Sequence, residues 1–291
     1  MKASLTQPFK RRAYQFFGLV LMGIIPHQTM AETAPIRSTD SGRIEGLVVG
    51  ESLHFRGIPY AKAPIGPRRW QAPQAPPPWS DIRNAREFGP VCPQKNSQFP
   101  SSEDCLTLNI SIPKKVDTTA KPVLFWLHGG GLIRRSGRSE TYSSKHWNEQ
   151  GIILVTLNYR LGAMGFFAHP ALKHPDGNNY GLMDMIAALK WLRSNIVSFG
   201  GDPERITIMG NSAGGMGVQM LMVTPEAQGL FAGAISMAGY GTWPKPRNQH
   251  VPALSGSPSA EQLAITHAAK AGAGSADTQT EASLRAIPAT T

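Results

Sequence analysis

The segment RITIMGNSAGGMGVQMLMV, residues 205–223, constrains the fold of this chain more than any other. Its first part, RITIM, is rich in β-branched and apolar residues, as in a buried strand, and GGMGVQMLMV is typical of a helix. Between them, G-N-S-A-G fits the pattern G-x-S-x-G, which also arises by chance in glycine-rich loops. In a strand–turn–helix setting it predicts a nucleophile, Ser212, on a strained turn where Gly210 and Gly214 relieve crowding.

The region around this turn alternates between strand and helix patterns. The residues 181–201 place apolar side chains at helical spacing and end at two glycines. Short apolar runs with the length of buried parallel strands surround this helix: PVLFWLHGGG (122–131), GIILVTLNYR (151–160), RITIM (205–209) and AGAISMAG (232–239). Such alternation predicts an α/β fold whose central sheet is mostly parallel and flanked by helices.

The motif HGGG, residues 128–131, follows the first of these strands. Acyl transfer needs backbone N–H donors that hold the oxyanion of the tetrahedral intermediate, and a glycine loop after a strand supplies them. The N–H of Ala213 would be the companion donor, since it follows the nucleophile directly. The alternatives are a tight structural turn or a phosphate loop, and the latter is disfavoured because no Gly-Lys-Ser/Thr signature follows.

The first 31 residues have the composition of a signal peptide. Four basic residues precede AYQFFGLVLMGII (13–25), an apolar run too short to span a bilayer. A small-residue cleavage site ends at Ala31, so we expect export and a mature domain over residues 32–291. The alternative is a membrane anchor that stays attached. After removal of the leader, we expect no stable membrane span.

Charge and cysteine content limit the other function classes. The formal charge falls from +10 to +6 without the leader, and the remaining basic residues are scattered, so nucleic-acid binding is not expected. The two cysteines, Cys92 and Cys105, favour a disulfide in an exported protein, with two buried thiols as the alternative. Their spacing and neighbours do not indicate a metal site.

Three further segments carry local predictions. The alternation around Gly50-Glu51 predicts a hairpin, and the Pro-rich residues 64–79 predict an extended surface segment in which Trp70 and Trp79 are buried. A disordered linker is the alternative for this segment. Near the end of the chain, residues 261–274 have the pattern of an amphipathic helix.

Several motifs together resemble the type-B carboxylesterases, relatives of the cholinesterases within the α/β-hydrolase fold. The resemblance rests on FRGIPYAKAPIGPRRWQAPQAPPPW, SEDCLTLNI, NYRLGAMGFFAHPAL, the long segment ending in GNSAGG, and LFAGAISMAG, which occur in family order. It implies that Ser212 is the nucleophile and that Gly130, Gly131 and Ala213 carry the oxyanion-hole amides. It also implies a disulfide between Cys105 and Cys92.

Two local departures from the family pattern stand out. Asn211 precedes the nucleophile, where the family usually has a buried Glu that supports the site. After HGGG the family continues with Phe and small residues, whereas Arg134 and Arg135 occur here. These arginines either favour acidic substrates or are solvated loop charges.

The larger departure concerns the base that would accept the serine proton. In α/β-hydrolases the acid and then the histidine follow the nucleophile in the chain. After Ser212 the histidines are His250 and His267, and neither lies in a context like the family's histidine loop. The upstream histidines have no supporting motif either: His54, His128, His146, His169 and His174. We therefore identify no catalytic acid or base and expect an N-terminal part of a family domain, truncated after the strand that follows the nucleophile turn.

These observations leave two classes of function. The first is a carboxylic ester hydrolase that acts on small-molecule esters through Ser212, without a cofactor or metal and with little activity alone. The second is a non-catalytic chain: a truncated fragment, one half of a split esterase that needs a second chain, or a binding module. Retention of Ser212 and of the whole HGGG loop argues against selection for binding alone.

Overall fold

The computed structural model describes residues 33–115, 119–138, 144–172, 177–239, 250, 256–275 and 278–289. The predicted leader, residues 1–31, and His174 lie outside these ranges. Ten strands occur in the described part: β1 (Ile36–Thr39), β2 (Gly42–Glu45), β3 (Leu47–Val49), β4 (Ser52–Pro59), β5 (Arg83–Asn84), β6 (Thr107–Pro113), β7 (Lys121–Leu127), β8 (Ile153–Leu157), β9 (Gly201–Asn211) and β10 (Gly233–Met237).

Six α-helices accompany them in the same ranges: α1 (Ser144–Glu149), α2 (Gly162–Gly165), α3 (Tyr180–Asn195), α4 (Ala213–Val223), α5 (Ala260–Lys270) and α6 (Glu281–Arg285). Short 3₁₀ turns lie at Gly66–Arg68, Ile196–Phe199 and Pro225–Ala227. Across the described ranges, no helix combines the length and the apolar character that crossing a bilayer requires.

A seven-stranded sheet in the order β10-β9-β7-β8-β6-β4-β3 forms the centre of the fold. The pairings between β10 and β9, β9 and β7, and β7 and β8 are parallel, which confirms the prediction for this half. The other half, β6, β4 and β3, is joined antiparallel. The predicted hairpin explains part of this difference, because the two residues Gly50-Glu51 are too few for a parallel crossover. The smaller sheet β1-β2-β5 was not predicted.

The two faces of the central sheet differ in chemistry. Alternate residues of β7, namely Val123, Phe125 and Leu127, are buried in the main core together with residues of α3 and α4. Side chains of neighbouring positions point to the opposite face because a strand alternates with a period of two. On that opposite face β6 carries the polar residues Asn109 and Ser111, beside Thr156 and Leu154 of β8.

A buried ion pair joins α3 to the loop after β8. The guanidinium of Arg160 donates to both carboxylate oxygens of Asp184 at 2.8 Å, and the backbone N–H of Arg160 donates to the same side chain at 3.0 Å. The two side chains are 3% and 0% exposed. Asp184 is therefore a buried hydrogen-bond partner of the loop after β8.

The last helices pack against the Pro-rich segment. Trp70 is 5% exposed and stacks on Phe167, and this second core includes Ala264 and Ala268 of α5 and Leu284 of α6. Burial of Trp70 is as predicted, whereas Trp79 is half-buried.

Arg69 connects the Pro-rich segment to α6 and the residues after it. Its guanidinium is paired with Glu103 at 2.6 Å and donates to the backbone carbonyl oxygens of Arg285 and Ile287. The helices near the end of the chain are thereby attached to a segment near its beginning.

Cys92 and Cys105 form a disulfide between two buried side chains, as predicted. At the other end of the sheet, β10 is the outermost strand of the described residues, and Ile235 on it is 44% exposed.

Candidate active site

Ser212 lies at the turn between β9 and α4 in a conformation that few non-glycine residues adopt. Its φ is 55° and its ψ is −122°. Its N–H donates to the carbonyl oxygen of Met237 on β10 at 2.8 Å, and its carbonyl oxygen accepts from Met216 in the first turn of α4. The backbone on both sides is thus fixed, and strain of this kind is typical of functional sites.

The two glycines of G-N-S-A-G are required by close backbone approaches. A Cβ on Gly214 would lie 2.1 Å from the carbonyl oxygen of Leu127, and one on Gly210 would lie 2.4 Å from the backbone of Gly214. The turn therefore packs closely against the carboxyl end of β7. This is the crowding that the sequence pattern predicts.

The HGGG loop lies directly beside the serine. A Cβ on Gly129 would be 3.3 Å from Cβ of Ser212 and 2.6 Å from the carbonyl oxygen of Asn211. The structure therefore brings the loop and the turn together, although they are some eighty residues apart in the chain. Both follow strands that are neighbours in the sheet, β7 and β9.

The backbone of this loop leaves amide groups available. Gly130 and Gly131 have φ values of 108° and 66°, and the carbonyl oxygen of Gly130 accepts from the N–H groups of Ile133 and Arg134. Because the peptide plane is trans, the N–H of Gly131 points away from that turn. Within the described residues, no acceptor takes a hydrogen bond from the amides of Gly130, Gly131 or Ala213.

His128 holds the start of the loop and is itself buried. Its Nδ1 lies 2.9 Å from the carbonyl oxygen of Gly129, an acceptor, so Nδ1 carries the proton. Burial lowers the pKa of His128 to about 4, and the positive charge of Arg135 acts in the same direction. The neutral imidazole lies inside the core and shapes the start of the loop.

Tyr159 is a residue of this site that sequence reasoning missed. Its ring stacks on His128 with centroids 4.3 Å apart, and its hydroxyl donates to the carbonyl oxygen of His128 at 2.7 Å. The available signal was an aromatic residue directly after a buried strand, in NYR. That signal does not distinguish a loop support from an ordinary core residue.

Among the described residues, no side chain hydrogen-bonds to the Oγ of Ser212, so the contacts there identify no proton acceptor. Two histidines, His146 and His250, lie near carboxylates, and both imidazoles are largely exposed. His169 is buried and its Nε2 lies 2.6 Å from Gln279. His54 lies on β4, and His267 is exposed on α5. Clusters that could hold a metal ion are also absent from the described ranges.

The residues that depart from the family pattern are exposed. Asn211 is exposed and makes no side-chain hydrogen bond with another described residue. Arg134 and Arg135 are exposed on the loop after HGGG, where the backbone of Arg135 pairs with the side-chain amide of Gln94. Both arginines are therefore close to the candidate site in the chain and open to solvent.

Comparison with known families decides the assignment. The model of the carboxylesterase family matches residues 33–285, which is nearly all of the described chain. The chain belongs to the carboxylesterase family. Its central sheet is accordingly that of an α/β-hydrolase fold.

Curated esterases are similar over most of this chain. The fumonisin B1 esterase of Sphingopyxis macrogoltabida is 42% identical over 210 residues, which are 69% of this chain and 39% of that protein. The para-nitrobenzyl esterase of Bacillus subtilis is 41% identical over 71% of this chain and 44% of its own length. The chain thus spans about two fifths of the length of these carboxylesterases.

Solved structures of carboxylesterases agree with the fold. A carboxylesterase of Geobacillus stearothermophilus superposes with a TM-score of 0.75 at 36% identity, covering 87% of this chain and 51% of that one. A para-nitrobenzyl esterase superposes with a TM-score of 0.67 at 41% identity, over 71% and 44% of the two chains. The mixed sheet described above is therefore shared with enzymes of this family.

Proposed function

We propose that this chain contributes the nucleophile half of a carboxylic ester hydrolase, with Ser212 as the nucleophile. One observation carries the proposal: the strained serine lies against Gly129 of the HGGG loop, and the amides of Gly130, Gly131 and Ala213 make no hydrogen bond among the described residues. Such an arrangement is suited to an oxyanion. The family membership and the names of the relatives support a small-molecule carboxylic ester as substrate.

The reaction follows from this geometry. The Oγ of Ser212 attacks the ester carbonyl carbon, its proton passes to a base, and the carbonyl electrons move onto the oxygen held by the amides. Collapse of this tetrahedral intermediate breaks the bond to the alcohol, which leaves with a proton. Water then hydrolyses the acyl-serine. Loss of one oxyanion donor costs about 3–4 kcal/mol in the barrier.

Turnover by this chain alone is expected to be low. No described histidine hydrogen-bonds to the Oγ of Ser212, so we propose that the acid and the base belong to polypeptide that this sequence does not contain, in a continuation or in a second chain. Without a base, binding and the oxyanion donors alone give roughly 10³–10⁴-fold acceleration over water. A purely non-catalytic binding role remains the competing function.

Export is also part of the proposal. A disulfide between Cys92 and Cys105 is consistent with an oxidising compartment. We propose cleavage after Ala31, so that the mature protein would begin at Glu32. Mass spectrometry of the N-terminal peptide after secretion tests this directly, and a retained leader would contradict it.

The function is tested by p-nitrophenyl butyrate hydrolysis together with mass spectrometry of the acyl-enzyme. We expect the wild type to gain one butyryl group on the peptide that contains Ser212. The variant Ser212→Ala should lose both the label and the rate above background. Ser236→Ala is the matched control, because Ser236 is a neighbouring serine that hydrogen-bonds to Gly215. Equal rates in wild type and Ser212→Ala would show that Ser212 does not catalyse.

A further inference from the structure

The side chain of Gln94 joins the disulfide-bonded segment to the loop that continues from HGGG. Its Nε2 donates to the carbonyl oxygen of Arg135 at 3.0 Å, and its Oε1 accepts from the N–H of Arg135 at 2.7 Å. The same Nε2 donates to the carbonyl oxygen of Cys92, a member of the disulfide, at 3.1 Å. One primary amide therefore pairs with both backbone groups of a single residue, as a neighbouring antiparallel strand would.

Arg135 has a backbone conformation that needs such support. Its φ is 79°, in the left-handed region, where the Cβ of a non-glycine residue crowds the backbone. The residue is exposed, so packing of its side chain in the core does not hold it there. Among the described residues, the two bonds to Gln94 are the hydrogen bonds that the Arg135 backbone makes. Gln94 thus stabilises a strained conformation.

The conformation of Arg135 bears on the amides of the HGGG loop. A Cβ on Gly130 would collide with the carbonyl oxygen of Arg134 and lie 3.1 Å from Cγ of Arg135. The carbonyl oxygen of Gly130 also accepts from the N–H of Arg134 at 3.2 Å. Because this carbonyl group and the N–H of Gly131 share one peptide plane, the position of Arg134 and Arg135 sets the direction of that N–H.

Other contacts hold the two ends of the same loop. At its start, the hydroxyl of Tyr159 donates to the carbonyl oxygen of His128 at 2.7 Å. At its end, the N–H of Gly137 donates to the side chain of Asn158 at 2.9 Å. Gln94 therefore supports the middle of a loop whose ends are attached to the residues that follow β8.

We propose that Gln94 is a positioning residue for the HGGG loop, which holds Arg135 in its left-handed conformation and so keeps the amides of Gly130 and Gly131 directed at the oxyanion. The inference rests on the proposed ester hydrolysis. Gln94 acts through Arg135 and contacts no reacting atom. Since the negative charge on the oxygen develops only in the transition state, misdirected amides lower the rate of acylation and leave ester binding nearly unchanged.

The experiment measures acylation of Ser212 in Gln94→Met, which keeps the length of the side chain and removes its hydrogen bonds. Single-turnover reactions of the full chain with p-nitrophenyl butyrate, followed by mass spectrometry, give the maximal rate constant and the half-saturating ester concentration. We expect the rate constant to fall about ten- to hundredfold and the half-saturating concentration to change less than twofold. An unchanged rate constant, or a change in the half-saturating concentration alone, would overturn the proposal.

Gln262→Met is the matched control. The Oε1 of Gln262 accepts from the N–H of Ser259 at 2.9 Å at the start of α5, so this variant also loses a hydrogen bond between a side chain and the backbone. Its acylation should equal that of the wild type. A fall as large as that of Gln94→Met would show a general effect of lost stability and would refute a specific role for Gln94.

Amide hydrogen exchange gives a second readout that needs no ester. Peptides covering residues 129–137 should exchange faster in Gln94→Met than in the wild type, and peptides of α5 should exchange equally. Unchanged exchange in the loop would overturn the positioning role. Absence of butyrylation in the wild type would instead contradict the proposed function, so the two failures are distinguishable.

A double variant tests the route through Arg135. Glycine adopts positive φ without steric cost, so in an Arg135→Gly background the change Gln94→Met should lower the rate constant less than threefold. A full ten- to hundredfold fall in that background would refute action through Arg135. If urea unfolding shows that Gln94→Met is not folded, Gln94→Glu replaces it. That variant keeps an acceptor for the N–H of Arg135 and should show a three- to tenfold fall, and no fall would overturn the proposal.

Discussion

The hydroxyl of Tyr159 donates to the backbone carbonyl oxygen of His128 at 2.7 Å while the two rings stack 4.3 Å apart. One tyrosine therefore fixes both the backbone and the side chain of the residue that begins the HGGG loop. The loop owes its position to this pair as well as to its glycines. The arrangement also keeps an imidazole inside the core, where it must remain neutral.

That neutrality predicts an acid-sensitive stability. Burial lowers the pKa of His128 from 6.5 to about 4, so between these pH values the unfolded chain binds a proton that the folded chain does not. The free energy of unfolding must then fall as the pH falls through this window, by about 2–3 kcal/mol between pH 7 and pH 4.5 for one such group. In His128→Gln, urea unfolding at the two pH values should show a correspondingly smaller difference.

His146→Gln is the control for this measurement, because the side chain of His146 is 79% exposed and lies outside the core. Burial lowers the pKa of His54 as well, so part of the pH dependence of stability remains in either variant. An identical slope in wild type and His128→Gln would contradict the assignment of a neutral buried imidazole.

Gly214→Ala is expected to destabilise the fold by about 3 kcal/mol or more, because the added methyl group meets the backbone of β7, which cannot move away. Gly217→Ala, one turn later in α4, is the comparison. Its methyl group would lie 3.2 Å from the flexible side chain of Met185, and alanine favours the helix. We expect a change within about 1 kcal/mol there. Chemical denaturation of both variants checks the contrast, and equal losses would disprove the close approach.

The buried pair of Arg160 and Asp184 predicts a large loss on removal of one partner. Asp184→Ala leaves a guanidinium uncompensated in the core, which should cost about 3–5 kcal/mol. Glu204→Ala breaks the pair of Glu204 with Arg193, whose side chains are 73% and 32% exposed, and should cost under about 1 kcal/mol. Urea midpoints at constant pH separate the two. A small effect of Asp184→Ala would mean that water enters and solvates Arg160.

Arg135 is expected to influence substrate preference more than Arg134, because its charge acts on His128 in the adjacent loop. In Arg135→Ala, acylation of Ser212 by an anionic p-nitrophenyl ester, relative to a neutral one of the same length, should fall about three- to tenfold. Arg134→Ala serves as the comparison, and stopped-time mass spectrometry gives the rates. An unchanged ratio in both variants would mark these arginines as solvated loop charges.

The sequence predicts the half of the fold that carries the serine with good accuracy. The runs at 151–160 and 232–239 contain β8 and β10, and the segments 122–131 and 181–201 contain all but the first residue of β7 and of α3. Each is a long or strongly patterned element, for which local composition and burial agree. β9 is longer than the predicted RITIM and begins at Gly201. Near its start, the side chain of Asp202 accepts a hydrogen bond from the N–H of Glu204.

The remainder depends on contacts that no local pattern reveals. The sequence of β6, TLNISIP, does not by itself indicate a central strand. Its polar and apolar faces can be assigned only when the partner strands are known. The partners of Arg160 and Tyr159 lie 24 and 31 residues away in the chain, so their pairing is a property of the fold. The two strands β1 and β5 are too short to have a periodicity.

The contacts of Arg69 carry a consequence for biosynthesis. The carbonyl oxygens that Arg69 binds belong to residues 216 and 218 positions further along the chain. At roughly 5–20 residues per second, a ribosome delivers them about 10–40 s after Arg69. During that interval Trp70 and the prolines around it have no α5 or α6 to cover them. The nascent protein therefore emerges with an aromatic, proline-rich surface that a chaperone can bind until α5 and α6 have been synthesised.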